Sequence, residues 1–598
     1  MADNENKIVP IKYTHREFNS IRKDLMDIAK RHYPESFQDF SEASFGSLML
    51  DAVSYVGDQL SFYLDYSVNE SFLDTAFSLK NILRHGKILG YKHEGAPSTY
   101  GKVALYLEIP ASAAGLGPDN SYMPILRRGS TFNAGTGISF ILTENVDFAD
   151  PKNPIVVSKV SDATGTPTHY AVKSYGNVVS GKFSSVKIKM NEYQKFKKVR
   201  LPVKNLSEII SVFDTNGNEY YEVQHLSQDL IYREIPNNNY KSDNVPSVLK
   251  PFLVARKFIV SRERNGGFLQ FGSGNEAQTN VVAEPQKVAM NIFGKSYVSD
   301  TSFDPTRLSQ NTNYGIVPSD TTLTVFYRST NVANSNVSVG AITTVGAKDF
   351  SFKDLSTLSV VKTRTVQTSL EVTNETPIVG AVSPPTSEEI KRRIFDTFPT
   401  QDRAVTQADY ENLAYRMPPK YGSIKRTSVQ KDPDSVKRNL NMYIISEDRF
   451  GKLIKSNNTI KENLKTWLGH YRMVNDTIDI LDPYIINIGI EFVVSVLRQN
   501  DASIAIESAI ATLSNNFLGG FFIGEHIEIS DIYSALKSVP EILDVVTVRL
   551  HNKTGPQYSN VEFSINKNIS PEGGRLVCPK NAIFEIKYAD IDIKGKVR

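Results

Sequence analysis

The chain has 598 residues, 40% of them hydrophobic and 22% charged, which is typical of soluble globular proteins and long enough for about three to five domains. The 68 basic and 65 acidic residues leave a net charge of +3, which disfavours a general nucleic-acid binder. A single cysteine, Cys578, excludes an intrachain disulfide framework, and the absence of a signal pattern or a long apolar run predicts a cytoplasmically made protein without a membrane span.

The first 95 residues predict a helical segment. Apolar residues recur at helical spacing at Phe18, Ile21, Leu25 and Ile28. A second helix is expected over about 45–66 and a third over about 72–85, with Gly86 as its C-terminal stop.

Residues 96–375 predict a β-rich, antiparallel region of two modules, because alternating apolar and polar residues are separated by Gly, Asn and Pro turns. Residues 376–389 contain several prolines and predict a linker. Residues 390–598 alternate helical and strand patterns, which predicts α+β domains. The predicted fold class is therefore multidomain α+β.

The second helix carries an unusual row of carboxylates, Asp51, Asp58 and Asp65, at a spacing of seven residues. Successive members lie about 20° apart around a helix and about 10 Å apart along it. That distance is too long for one metal ion or for a catalytic carboxyl pair, so this helix alone forms a ladder of charges. Ser54 and Ser61 share its sector.

Most of the remaining circumference of this helix is apolar or aromatic. A helix that is apolar on nearly all sides has to be covered on nearly all sides. Two short neighbouring helices are too little cover, so we expect other chains to supply the rest.

The first helix carries a basic row, Arg16, Lys23 and Lys30, at the same spacing. An antiparallel register would pair these residues with Asp65, Asp58 and Asp51, respectively. The basic row lies roughly opposite the apolar stripe of its own helix, which favours a ladder between chains over one within the chain. The alternative, that both rows are solvated, stays open because surface pairs contribute only about 0–1 kcal/mol.

The sequence offers no convincing catalytic, cofactor or metal site. The nine histidines are scattered, and the Gly-rich stretches at 134–139 and 271–276 lack a Walker lysine, which predicts β-turns. Residues 214–219 predict an Asn-Gly hairpin rather than a calcium loop. The basic runs at 197–200 and 390–393 are interpreted as solvated faces, and Cys578 as a small structural residue.

Several long segments carry a family resemblance. They are "RKDLMDIAKRHYPESFQDFSEASFGSLMLDAVSYVGDQLSFYLDYSVNESFLDTA" (22–76), "LRHGKILGYK" (83–92), "RAVTQADYENLAYRMPPKYGSIKR" (403–426), "LKTWLGHYRMVNDTIDILDPYIINIGIEF" (464–492) and "NAIFEIKYADIDIKGKVR" (581–598). In these segments the chain resembles the baseplate wedge protein of T-even-like contractile-tailed phages, within the broader baseplate J-like group. In the middle region, the resemblance lies mainly in the general alternation of apolar and polar residues rather than in specific motifs.

The resemblance implies a non-enzymatic structural protein of the virion tail, assembled in the host cytoplasm. Its N-terminal helices would bundle with a second copy and a third wedge protein, and its C-terminal region would join neighbouring copies into an inner ring around the hub. Further implied partners are a small lysozyme-like sheath-nucleating protein and another wedge protein. The ring would relay the baseplate change to the sheath.

The resemblance also implies the interface residues. The N-terminal bundle would use the carboxylate row and nine apolar residues: Phe45, Leu48, Met49, Val56, Leu60, Phe62, Tyr63, Phe72 and Leu73. The C-terminal ring would use Trp467, Tyr471, Arg472, Ile478, Tyr484 and Phe492. For each aromatic residue, a place in the chain's own core is an equal alternative.

Two other functions remain open at this point. β-rich tail proteins often bind or cleave glycans, but the acids of residues 100–375 form no pair that predicts such a site. A nucleic-acid binder is disfavoured by the nearly neutral charge.

Overall fold

The structure is a computed structural model, and it describes residues 16–33, 35, 41, 44–92, 97–112, 117–135, 137–203, 205–228, 230–236, 247–263, 266–275, 314–330, 335–434, 439–496, 502–517 and 520–598. Contacts divide the chain into two units. The first comprises Met1–Lys92 with Pro385–Pro399, and the second comprises His93–Pro384 with Thr400–Arg598.

The secondary structure confirms the multidomain α+β class. In chain order the described helices are α1 (Phe18–His32), α2 (Phe45–Glu70), α3 (Leu79–Ile88), α4 (Val360–Thr368), α5 (Ser387–Thr400), α6 (Gln407–Tyr415), α7 (Asn458–Gly469), α8 (Ala502–Asn516), α9 (Ile529–Lys537), α10 (Ile565–Asn568) and α11 (Ala589–Asp592).

The strands concentrate in the second unit. They are β1 (Tyr100–Pro110), β2 (Ile125–Leu126), β3 (Thr131–Ala134), β4 (Ser139–Leu142), β5 (Val146–Asp147), β6 (Ile155–Val160), β7 (Pro167–Ser180), β8 (Lys182–Lys189), β9 (Lys198–Arg200), β10 (Leu206–Phe213), β11 (Glu219–Glu222), β12 (Leu230–Pro236), β13 (Ser247–Leu253), β14 (Lys257–Glu263), β15 (Gly266–Phe271), β16 (Thr322–Ser329), β17 (Ile342–Val345), β18 (Phe350–Ser351), β19 (Glu371–Thr373), β20 (Arg426–Lys431), β21 (Asn439–Glu447), β22 (Leu453–Lys455), β23 (Thr477–Leu481), β24 (Tyr484–Val496), β25 (Ile527–Glu528), β26 (Ile542–Asn552), β27 (Arg575–Leu576), β28 (Ala582–Glu585) and β29 (Ile593–Val597).

Helix α2 is longer than the sequence predicts, and its two ends are fixed by side chains. Ser44 caps the start by accepting a hydrogen bond from the Ser47 backbone N–H at 3.1 Å. At the other end, the Glu70 carboxylate accepts hydrogen bonds from Phe77 N at 2.9 Å and Asn81 Nδ2 at 2.7 Å. The Asn81 contact lowers the pKa of Glu70. Glu70 therefore holds the turn before α3. Helix α3 itself begins later in the sequence than predicted.

The predicted stop of α3 at Gly86 is wrong, because Gly86 lies inside the helix. A Cβ at this position would lie 2.9 Å from Ile394 Cδ1. Ile394 belongs to α5 and is buried together with Ala76, Ile82 and Ile390. Gly86 is thus explained by the close approach of α5 rather than by a helix end.

Helix α5 also changes the predicted division of the chain. Its first residues fall in the predicted linker, and residues 390–399 group with the N-terminal helices rather than with the C-terminal region. The basic run at 390–393 is only partly solvated, because Arg392 is 71% exposed whereas its two basic neighbours are not. Lys391 and Arg393 are mostly covered and lie 3.0 Å and 3.9 Å from Glu388 and Glu389, respectively. The four-part domain division otherwise stays a prediction.

Two large sheets form the middle region. The first has the order β17-β3-β4-β7-β1-β19, with β6 also paired to β7, and its pairings are antiparallel. The second has the order β8-β16-β10-β11-β14-β15-β9, and only its β11–β14 pairing is parallel. The predicted Asn-Gly hairpin at 214–219 is present between β10 and β11, with Gly217 at φ +80°.

A buried polar junction links these two sheets. Gly181, at φ +124°, joins β7 to β8 beside Arg328 of β16. The Arg328 side chain is 1% exposed and donates to Ser98 Oγ at 2.9 Å, Ser180 O at 2.6 Å and Glu208 at 3.0 Å. Charge-assisted hydrogen bonds of this kind fix orientation as well as adding stability.

The C-terminal region contains two smaller sheets. Strand β21 pairs with β20, β22 and β23, and β24 pairs with β26, β28 and β29. The carboxylate of Glu585, on β28, accepts from Leu453 N of β22 and from Asn487 Nδ2 of β24, both at 2.8 Å. Glu585 therefore connects the two sheets, and its burial raises its pKa.

The second unit has four separate apolar clusters in the described residues. Two belong to the middle sheets and two to the C-terminal region. Separate cores are the expected result for a chain of this length, since single cores stop growing near 250–300 residues.

Candidate assembly surface

Helix α1 packs on a row of small residues along α2. Ser47 and Ser54 are buried, and a Cβ at Gly57 would lie 3.3 Å from Ile21 Cδ1. These residues and Ser61 follow one another at intervals of seven, three and four, so they form one stripe of the helix. Small side chains let the two helices approach closely. The sector that contains the aspartate row thus faces α1 of the same chain.

The preference for a charge ladder between chains is wrong for two of the three aspartates. Arg16 binds Asp65 at 2.6 Å, the pairing expected for an antiparallel register. Asp51 binds Arg22, not Lys30, and the Arg22 guanidinium also donates to Ser47 Oγ at 2.9 Å.

The reason for this difference lies in where α1 begins. Arg16 precedes the helix, so its direction is not set by the helical repeat. Arg22 lies about 40° from Phe18 on the apolar side of α1, so it reaches α2.

The third aspartate, Asp58, differs from the other two. Lys23 and Lys30 are exposed, and Asp58 is half-buried. Among the described residues, no ion pair joins Lys23 to Asp58.

The opposite side of α2 is apolar and exposed. Eight of the nine predicted apolar contact residues are exposed: Phe45, Leu48, Met49, Val56, Leu60, Phe62, Tyr63 and Phe72. Leu73 is the exception, because it packs on the small core beneath α3. Further exposed apolar side chains on α2 are Val53, Tyr55, Leu64, Tyr66 and Val68. Those on α2 cover an arc of roughly 240° at 100° per residue.

Two exposed aromatic residues of α5 also lie outside the predicted set. Phe395 and Phe398 of α5 are 67% and 61% exposed. Sequence reasoning missed them because α5 is separated from α2 by more than 300 residues. Their spacing of three residues, with Ile390 and Ile394 on a neighbouring face, was the available signal.

Of the six predicted C-terminal contact residues, two are buried, Trp467 and Tyr471 are half-buried, and Arg472 and Tyr484 are exposed. Ile478 and Phe492 are buried in apolar clusters of their own chain, so the prediction that they contact a partner is wrong. The rings of Trp467 and Tyr471 lie 4.8 Å apart at a tilt of 59°, and Trp467 Nε1 donates to Leu413 O at 2.9 Å. Tyr484 is exposed.

Arg472 holds a rigid loop beside these residues. Its guanidinium donates to Asp476 O at 2.6 Å, and Tyr410 donates to the Asp476 carboxylate at 2.8 Å. The loop displays Met473 and Val474, and Val474 is 96% exposed. Sequence patterns did not identify these two residues because an isolated apolar pair carries no periodicity.

The described residues offer little for catalysis. They contain no group of three metal-capable side chains. A cleft of about 680 Å³ is lined by Glu375, Asp482 and Glu585, but each already binds its own partner. Cys578 is buried, which raises its pKa to about 12. Among the helices in the described residues, none combines the length and the apolar character that a membrane span requires.

Comparisons with known proteins point to the same N-terminal helices. Residues 15–88 match the family described as "Bacteriophage baseplate protein, N-terminal domain". No curated protein matches the chain. A solved structure, the anti-feeding prophage (AFP) baseplate, aligns over 95% of this chain and 90% of its own at 10% identity and a TM-score of 0.26, which does not establish a common fold. The N-terminal match supports a structural component of a phage baseplate.

Proposed function

We propose that this chain is a structural, non-enzymatic wedge subunit of the baseplate of a contractile phage tail. In this role its N-terminal helices bundle with a second copy and a third wedge protein. Its C-terminal region joins neighbouring copies in an inner ring around the hub, which relays the baseplate change to the sheath. The sheath-nucleating protein and a further wedge protein are the other proposed partners.

The observation that carries this proposal is the exposed aromatic surface of α2 and the turn after it. Seven aromatic side chains there are 44–78% exposed: Phe45, Tyr55, Phe62, Tyr63, Tyr66, Phe72 and Phe77. At about 200 Å² per side chain, they present roughly 900 Å². A typical monomer exposes an apolar patch of about 300–600 Å², and a standard interface takes about 800 Å² per partner.

The width of the apolar arc supports more than one partner helix. A packed helix typically covers a stripe about 100° wide, and the exposed arc is more than twice that width. Helix α1 already occupies the opposite side. Two further helices from other chains are therefore proposed to complete the bundle.

The proposed contact between C-terminal regions is supported by fewer exposed residues than the N-terminal bundle. Arg472 and Tyr484 of the predicted set are exposed, and the loop with Met473 and Val474 adds an apolar contact. A loop held by internal hydrogen bonds loses little freedom on binding, which favours a contact role.

No observation favours the glycan alternative in the described middle region. Its Glu108 is held by Lys159 at 2.7 Å, and Glu375 is held by Lys173 at 2.5 Å. These acids form ion pairs rather than a carboxyl pair.

The test is co-expression of the full chain with the products of the neighbouring tail genes, followed by mass measurement of the complex. Leu60→Asp places a charge in the apolar arc and is expected to abolish the complex while circular dichroism of the chain stays unchanged. Asn19→Asp, on the exposed side of α1, is the matched control and is expected to assemble normally. Normal assembly of Leu60→Asp would refute the proposal.

A further inference from the structure

Helix α5 is an integral part of the N-terminal unit, although it lies far away in the sequence. Ile390 and Ile394 share a core with Ala76 and Ile82. A Cβ at Gly86 would lie 2.9 Å from Ile394 Cδ1, so a side chain at that position would force Ile394 to shift. The match to the baseplate family ends at residue 88, so the matched segment does not include α5.

The polar side chains of α5 are already occupied within the unit. Lys391 lies 3.0 Å from Glu388 and donates to Asp74 O at 2.9 Å. Arg392 lies 3.9 Å from Asp396. The large apolar side chains exposed on α5 are the two aromatic rings of Phe395 and Phe398.

Lys391 shows where these rings lie along the surface. Lys391, Phe395 and Phe398 are separated by four and three residues, so they form one row on α5. The first member of the row reaches Asp74, in the turn that also carries the exposed Phe72 and Phe77. The row on α5 therefore begins at the end of the exposed aromatic surface of α2.

The exposed area of the two rings indicates whether they form a separate binding site or extend the surface of α2. At about 200 Å² per side chain and 67% and 61% exposure, they present roughly 250 Å². This is well below the roughly 800 Å² that a partner takes in a standard interface. The two rings are too small to hold a partner alone, so they would contribute to binding only as an extension of the larger surface on α2.

We infer that Phe395 and Phe398 form the outer end of the α2 assembly surface and contact an apolar helix of another baseplate subunit. The inference rests on the proposed function. The row continues the apolar arc of α2, which is wide enough for two partner helices, and rows spaced by four and three residues fit between the ridges of a neighbouring helix, so the proposed occupant is a helix.

The test compares two double variants of the full chain in the co-expressed complex. Phe395→Ser with Phe398→Ser is expected to weaken the complex by at least about tenfold, as loss of aromatic anchors does. Val360→Ser with Val361→Ser removes two equally exposed apolar residues of α4 and is the matched control, with an expected change below about twofold. Thermal unfolding of the isolated variants verifies that each is folded.

Hydroxyl-radical footprinting of the wild-type complex provides an independent measurement. Phe395 and Phe398 are expected to be oxidised in the isolated chain and protected in the complex. Unprotected rings, or full affinity of the serine variant, would overturn the inference. If Leu60→Asp still abolishes assembly in that case, the proposed function stands, and if it does not, both fall.

Discussion

The buried junction at Arg328 gives the sharpest quantitative prediction. Arg328→Met keeps a long unbranched side chain but removes the guanidinium. It leaves the buried Ser98 hydroxyl and Ser180 carbonyl without their donor, at about 1–3 kcal/mol for each buried unpaired group. Glu208 is about one-third exposed and regains water, so its share is small. The expected loss is therefore about 2–6 kcal/mol.

Native-state hydrogen exchange is the suitable assay, because a chain with several cores does not unfold in one step. Amides of β7, β8 and β16 are expected to exchange faster by the amount that corresponds to this loss, and amides of β24 are expected to be unchanged. These strands meet at the junction, whereas β24 belongs to a different apolar cluster.

A matched surface arginine serves as the control for this assay. Arg127 lies 3.8 Å from Asp349 and is more than half exposed, so Arg127→Met is expected to cost less than about 1 kcal/mol. Equal effects of the two variants, or a change below about 0.5 kcal/mol for Arg328→Met, would refute the view that a polar network fixes the two sheets.

Two further predictions concern charged groups. The raised pKa of Glu585 means that its stabilising effect is complete below the ordinary value near 4.5 and is lost as pH rises through the raised pKa. Glu585→Gln is thus expected to flatten thermal stability measured across this window, and parallel curves would contradict this. Asp65→Asn removes an exposed pair with Arg16 and is expected to change hydrogen exchange in α1 by less than about 1 kcal/mol, with a larger change arguing for a buried role.

The sequence predicted the exposed side of α2 for a sound physical reason. A helix with apolar residues on most of its circumference cannot be covered by α1 alone, and Leu60 and Phe62 are indeed exposed. The sequence did not predict which side α1 would take. The signal was the row of Ser47, Ser54 and Gly57, because small residues at intervals of seven and three permit close helix packing.

Other features could not be predicted from local patterns. Gly86 matched the usual position of a helix stop, and only its contact with Ile394, more than 300 residues away, explains why it lies inside α3. Phe492 was assigned to a ring contact although it is buried in its own core. An aromatic residue on an apolar strand has the same local pattern in either location, so tertiary packing decides.

The return of α5 to the N-terminal unit has a mechanical consequence. The chain crosses between its two units three times, after residues 92, 384 and 399. Pro384, Pro385 and Pro399 stand at the two later crossings, where each proline ring fixes one backbone torsion. A pull or twist applied to the N-terminal helices is thus transmitted to the rest of the chain through three backbone connections rather than one. Prolines restrict the backbone at two of these connections.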